Sequence, residues 1–297
     1  MHWGTISPLD MKDLLACTAL ITGASSGIGA EFARQLAPLA AQLILVARRE
    51  DRLEELAEEL RNANPALRVA VRPTDLTNMS DTQLLCDWME TEGFELDLLI
   101  NNAGLGDHGP FEESDWSRVE EMLQVNVVSL TYLCHRLVPS LRHHRPGAIL
   151  NVSSMASLLP IPGLGVYAAT KAYVSSFSEA LRAELSGTGV GVTHLCPGPV
   201  ETEFARVSTR STGRHLGINA TADALEVSVQ QVVREGLQAI ANDQPRVFPG
   251  GLVKLAALGI ALAPLFILRF FLNRRVQAMR PRAAHHECSF DPEYDQP

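Results

Sequence analysis

The sequence predicts an α/β protein built on a doubly wound parallel sheet, and three observations carry that expectation. Short apolar runs alternate with segments of helical period, the runs are apolar on both faces, and the first of them ends in a glycine turn that opens a helix. A single run of this kind reads equally well as buried helix, so it is the alternation that decides the class. At 297 residues the chain suits one α/β domain of roughly 250 residues with a terminal appendage.

In chain order the runs are CTALIT, LILVA, LRVAV, LDLLI, AILNVS and VGVTHLC, and about seven strands with helices on both faces are expected. Helical segments over 28–39, 51–61 and 81–92 follow the first three. After Pro249-Gly250-Gly251 the composition shifts to a hydrophobic and then arginine-rich stretch. The expected organisation is a catalytic domain over 1–250, a helical appendage over 251–282 and a disordered acidic tail over 283–297.

Bulk charge narrows the function. With 34 acidic and 25 basic residues the formal net charge is -9, a field that repels phosphate polymers, so nucleic acid is not an expected partner. Cys17, Cys86, Cys134, Cys196 and Cys288 contain no CxxC pair and leave one over, which fits reduced thiols and a cytoplasmic setting. The first residues lack the basic region and cleavage site of a signal peptide.

The first strand runs into Thr22-Gly23-Ala24-Ser25-Ser26-Gly27-Ile28-Gly29 and then AEFARQLA, a strand, glycine turn and helix. Glycines suit a bend that must let backbone approach a pyrophosphate and let the helix pack on the strand. Free N–H groups and the helix dipole then hold the anion. A glycine triplet also serves ordinary strand-to-helix turns, and its place after the first strand is what favours the nucleotide reading.

Further along, Tyr167 and Lys171 stand four apart in the helical segment YAATKAYVSSFSEALRAEL, which brings both side chains to one face. A phenol with a pKa of about 10 exchanges protons poorly near neutrality. Lowering it by about 3 units takes about 4 kcal/mol favouring phenolate, a contribution expected from the Lys171 ammonium with a second positive charge in a dry site. Ser154 ends AILNVSS at the carboxyl lip of a strand, where open α/β sheets bind ligands, with Ser153 as the bland neighbour.

These motifs together resemble the classical short-chain dehydrogenase/reductase family, whose landmarks the chain matches in order from about 16 to 202. The resemblance rests on the glycine turn, Asp75-Leu76 after the third strand, Asn101-Asn102-Ala103-Gly104 after the fourth, Asn126, and Ser154 with Tyr167-Ala-Ala-Thr-Lys171. It implies a Rossmann-type fold and a catalytic set of Ser154, Tyr167, Lys171 and Asn126. Ser154 is preferred to Ser153 because the family's serine stands thirteen residues before its tyrosine. Asn126 on its own reads as a helix-interior polar group; the resemblance gives it the support of a proton-relay water.

For the cofactor, the resemblance implies binding by Gly23, Ser25, Ser26, Gly27, Ile28, Gly29, Asp75, Leu76, Asn102, Ala103, Gly104, Tyr167 and Lys171. The sequence Cys196-Pro197-Gly198-Pro199-Val200-Glu201-Thr202 looks like the family's nicotinamide segment and adds Pro197, Gly198, Val200 and Thr202. Ala47 stands where NAD-preferring members carry an acid, and Arg48 follows it, where a guanidinium can grip a 2′-phosphate. NADP(H) is therefore expected ahead of NAD(H). The alternative is that Arg48 and Arg49 pair with the acids of the following helix.

Residues 204–222 read as a substrate lid or as an irregular connection. His143-His144 and His285-His286-x-Cys288 lack a second ligand pair, so no metal is expected. His194 and Cys196 share a strand face, and without a G-x-S-x-G elbow a hydrolase is disfavoured. The uncharged stretch 255–268 would span about 21 Å as helix against a bilayer's roughly 30 Å. With six basic residues and no acid over 251–282 it suits an in-plane membrane contact or a helical hairpin, or packing on the domain or a second subunit.

The expected protein is an NADP(H)-dependent oxidoreductase that interconverts a carbonyl and an alcohol on a lipophilic small molecule. The family's usual assembly implies a homodimer or homotetramer. The other reading is a catalytically weak NADP-binding regulator or membrane-surface scaffold.

Overall fold

The computed structural model describes residues 16–142, 147–208, 225–264, 266, 268–270 and 272–274. They contain a seven-stranded parallel sheet. Its first half runs β1 (Thr18–Thr22), α1 (Gly27–Leu36), β2 (Gln42–Ala47), α2 (Glu50–Ala63), β3 (Arg68–Pro73), α3 (Met79–Thr91) and β4 (Leu98–Asn101). Then come α4 (Trp116–Leu123), a wider π-type turn over Gln124–Ser129, α5 (Leu130–Leu141), β5 (Gly147–Val152) and α6 (Gly165–Glu184). The remainder is β6 (Val190–Leu195), α7 (Glu203–Ser208), α8 (Val229–Ala241), β7 (Arg246–Val247) and α9 (Gly251–Leu262).

The strand order is β3-β2-β1-β4-β5-β6-β7. Chain direction across the sheet reverses between β1 and β4, which pair in parallel with Ile21 opposite Ile100. Sheets of this kind bind ligands beyond the carboxyl ends of the strands at such a reversal.

Period-two alternation sends each strand's side chains to two cores. Ala19, Ile21, Leu43 and Leu45 join Phe32 of α1, Leu53 of α2 and Val233 of α8 on one face. Leu20, Ile44 and Val46 join Leu85 of α3, Leu133 of α5 and Val174 of α6 on the other. Both faces being covered is why the central strands read as continuous apolar runs. The two-residue β7 has no such run but completes the expected count of about seven, as an edge strand held by β6.

The chain divides into two compact units, Met1–Leu262 and Ala263–Pro297. In the first, α9 buries Val253 and Ala257, so the composition shift after Gly250 falls inside this unit. The opposite side of α9 exposes Leu252, Leu255, Leu258 and Leu262. In the second unit, the Arg274 guanidinium lies 5.6 Å from the centroid of the Phe270 ring. Among the described residues no helix is long and apolar enough to cross a membrane. The expected tail over 283–297, most of the expected lid and both His pairs lie outside the described residues.

Candidate active site

The glycine turn forms because its neighbours leave no room for anything else. Gly23 has φ +67° and Gly27 φ +54°, both left-handed. A Cβ on Gly29 would overlap the Gly23 carbonyl oxygen and stand 2.5 Å from Asn102 Nδ2. Ser26 opens α1 in extended conformation without a side-chain cap, and the first turn has no acidic residue. Uncapped amides at a positive dipole end fit an anionic diphosphate.

The β4 end is bonded to the end of β1. Asn102 Nδ2 donates to the carbonyl of Thr22 at 2.9 Å, and the amides of Asn102 and Ala103 donate to Thr22 Oγ1 at 3.0 Å. The Asn102-Ala103-Gly104 segment is thereby tied to the glycine turn. Asp75 shapes the β3–α3 loop by accepting from the amide and hydroxyl of Thr77, and Leu76 is buried beside it.

Asn126 sits in the π-type turn, a feature no sequence pattern announced. Its side chain receives the amide of Leu105 at 2.8 Å and donates to the carbonyl of Leu105 at 2.9 Å and to Thr170 Oγ1 at 3.0 Å. It satisfies backbone, as its residue type implies, but the backbone belongs to the loop after β4 and not to its own helix. The wider turn lets one side chain bind this loop and α6 together.

Tyr167 and Lys171 do share a face of α6. The Lys171 side chain is buried, with Nζ donating to the carbonyl of Val152 at 2.8 Å and lying 5.8 Å from the Tyr167 ring centroid. Burial pulls its ammonium down to about 8. The Tyr167 ring packs on Phe204 with centroids 5.6 Å apart. Burial pushes its phenol up to about 12, while a hydrogen bond with Ser154 acts the other way. The lowering expected from Lys171 does not arise in the protein alone, because desolvation of the phenolate dominates.

The two serines separate cleanly. Ser153 is buried and donates to the Lys171 carbonyl at 2.8 Å, with Ser175 Oγ also 2.8 Å away. Ser154 faces the phenol, and its Oγ accepts from the Ala156 amide at 3.1 Å. Pro197 accepts from the Met155 amide at 2.8 Å, so the segment after β6 is fixed to the serine turn. Gly198 lies under Val253 of α9, Val200 packs on the core, and Thr202 reaches the glycine turn at Gly27.

Arg48 is exposed at the end of β2. The residue that enters the glycine turn is Arg49, which donates to Ser25 Oγ at 3.1 Å and Ser26 Oγ at 3.0 Å. Its remaining nitrogen meets Glu203 at 3.0 Å, and Arg52 meets the other Glu203 oxygen at 2.8 Å. Those two guanidinium groups, Arg52 first, hold the Glu203 carboxyl down at about 2. Arg49 therefore pairs with an acid 154 residues away and not with the acids of α2. Sequence reasoning missed Arg49, Arg52 and Glu203 as a group, since nothing local links them.

A family model described as short chain dehydrogenase matches residues 17–212. Sulfoacetaldehyde reductase 2 of Chromohalobacter salexigens is 39% identical over 208 residues, 69% of this chain and 79% of that protein. Among solved structures, a short-chain dehydrogenase from Sphingobium yanoikuyae in complex with NADPH is similar with a TM-score of 0.71 at 28% identity, over 91% of this chain and 99% of that one. One from Burkholderia phymatum in complex with NAD gives 0.73 at 26% identity, over 90% and 96%.

Proposed function

Since the chain belongs to the short-chain dehydrogenase/reductase family, and so to a family of pyridine-nucleotide oxidoreductases, we propose that it is an NADP(H)-dependent enzyme interconverting a carbonyl and an alcohol on a lipophilic small molecule. The observation that carries the reaction class is the contact of the Ser154 hydroxyl with the Tyr167 phenol above a buried Lys171. The bound nucleotide supplies or accepts the hydride. The glycine turn, Asp75, Leu76, the 102–104 segment and the 197–202 segment would hold it, and Lys171 would bind its nicotinamide ribose, as the resemblance implies.

Tyr167 passes a proton to the substrate oxygen during reduction and takes one back during oxidation. Without nucleotide, burial holds the phenol up at about 12, so it is protonated at neutral pH, and exchange near neutrality requires the positive charge of Lys171 and of an oxidised nicotinamide to lower it. Ser154 donates to the same oxygen and stabilises the charge that develops on it. Asn126 holds the loop after β4 beside Lys171 and supports a water that relays the proton outward. Phe204 and the apolar run LLPIPGLGV over 158–166 favour a lipophilic substrate.

NADP(H) rather than NAD(H) is favoured by Ala47 at the end of β2, which leaves no acid there, by Arg49 on Ser25 and Ser26, and by the exposed Arg48 between Ala47 and Arg49 in sequence. One neighbour is held with NADPH and another with NAD, so the preference rests on these residues. The test is NADPH consumption across ketosteroids, long-chain ketoacyl compounds, retinal and small sugars, repeated with Tyr167→Phe. The variant should lose on the order of 10³-fold in kcat while binding NADPH within about twofold of the parent. Unchanged turnover by the variant would remove Tyr167 from the mechanism.

A further inference from the structure

The group formed by Ser25, Ser26, Arg49, Arg52 and Glu203 has no part in hydride transfer, yet it gathers two guanidinium groups and a carboxylate beside the glycine turn. Two hydroxyls and two guanidinium groups converge on it, and the anion among them is a side chain of the protein itself. Glu203 is the first residue of α7, with Thr202 before it against Gly27 and Phe204 after it against Tyr167. It is thus the point at which the segment over the site is fastened to the β2 end.

We propose that Glu203 is an internal counter-anion at the subsite for the cofactor's 2′-phosphate, which must displace it, so that this residue sets the discrimination between NADP(H) and NAD(H) and couples phosphate binding to release of α7. The inference rests on the NADP(H) reading above. A ribose phosphate is a dianion with several acceptor oxygens, which answers the Ser25, Ser26 and Arg49 donors better than one carboxylate does. NAD(H) has a hydroxyl in place of the phosphate and gives the guanidinium groups no reason to leave Glu203. Both ion pairs are partly exposed, with Glu203 at 30% side-chain exposure, so the exchange is close enough in energy to be reversible.

Calorimetric titration of the full-length protein with NADPH and with NADH, for the parent and for Glu203→Gln, tests this. The variant should bind NADPH about tenfold more tightly and NADH within about twofold of the parent, because only the phosphate competes with the carboxylate. Hydrogen exchange of 203–208 should rise in the parent with NADPH but not with NADH, and should already be raised in the variant without nucleotide. Thermal melting of both proteins controls for folding. If Glu203→Gln leaves the NADPH affinity unchanged, or changes both affinities alike, the counter-anion role is wrong while a parental preference for NADPH keeps the cofactor reading. A parent that binds both nucleotides equally overturns the cofactor reading and this inference with it.

Discussion

Two adjacent serines show how little of a residue's role lies in its type. Ser153 is buried and bonds the Lys171 carbonyl, whereas Ser154 bonds the Tyr167 phenol. Alternation along an extended chain produces that split, since neighbours face opposite ways. Ser154→Ala should lower kcat about 100-fold with a melting temperature close to the parent's. Ser153→Ala should instead cost about 1 kcal/mol in urea unfolding and leave the chemistry in place, because it removes a buried hydrogen bond. Equal kinetic loss in the two variants would show that the hydroxyls are not divided in this way. The choice of Ser154 over Ser153 came from the spacing to Tyr167 in the resemblance; residue chemistry alone left both open.

At the scale of elements, the glycine turn, the π-type turn and α6 are each held by a different neighbour. The glycine turn depends on the approach of Asn102 and the folding back of Gly29 on Gly23. Gly29→Ala should therefore destabilise the protein by about 1–3 kcal/mol and abolish nucleotide binding, read by unfolding and by calorimetry on the same preparation. An alanine variant that melts and binds like the parent would show that the turn has slack the structure does not display. The strands, the helices between them and this turn were legible in sequence because burial on two faces and steric need for glycine act within a few residues. The π-type turn was not, since its reason is a hydrogen-bonding partner, Leu105, 21 residues away.

Over the whole molecule, the seventh strand's neighbour β6 carries a buried histidine expected to lower stability in acid. His194 on β6 is fully buried and accepts from Arg246 Nε at 2.7 Å, with Glu179 3.9 Å away. Burial first, and the Arg246 charge second, bring it down to about 4. A folded value below the unfolded one of about 6.5 means the unfolded chain takes up the proton first as pH falls. Stability should therefore drop between pH 6.5 and pH 4, by at most about 3 kcal/mol from this group. His194→Gln, which can still accept from Arg246, should flatten that part of the urea stability curve; a curve as steep as the parent's would assign the acid loss elsewhere.

Sequence alone determined the sheet, its wrapping by helices, the nucleotide turn, and the Ser154, Tyr167 and Lys171 set expected to act on it. The sheet and the turn follow from periodicity and steric exclusion and the Tyr167–Lys171 pairing from helical spacing, whereas Ser154 is what the family resemblance implies. Tertiary structure decided what lies against each of them: Arg49 in the glycine turn, Glu203 between two guanidinium groups, Asn126 on the loop after β4, and a phenol made less acidic by its surroundings. The reason is that charge pairing and desolvation depend on distances in space, which a linear order of residues does not contain until the sheet has brought its carboxyl ends together.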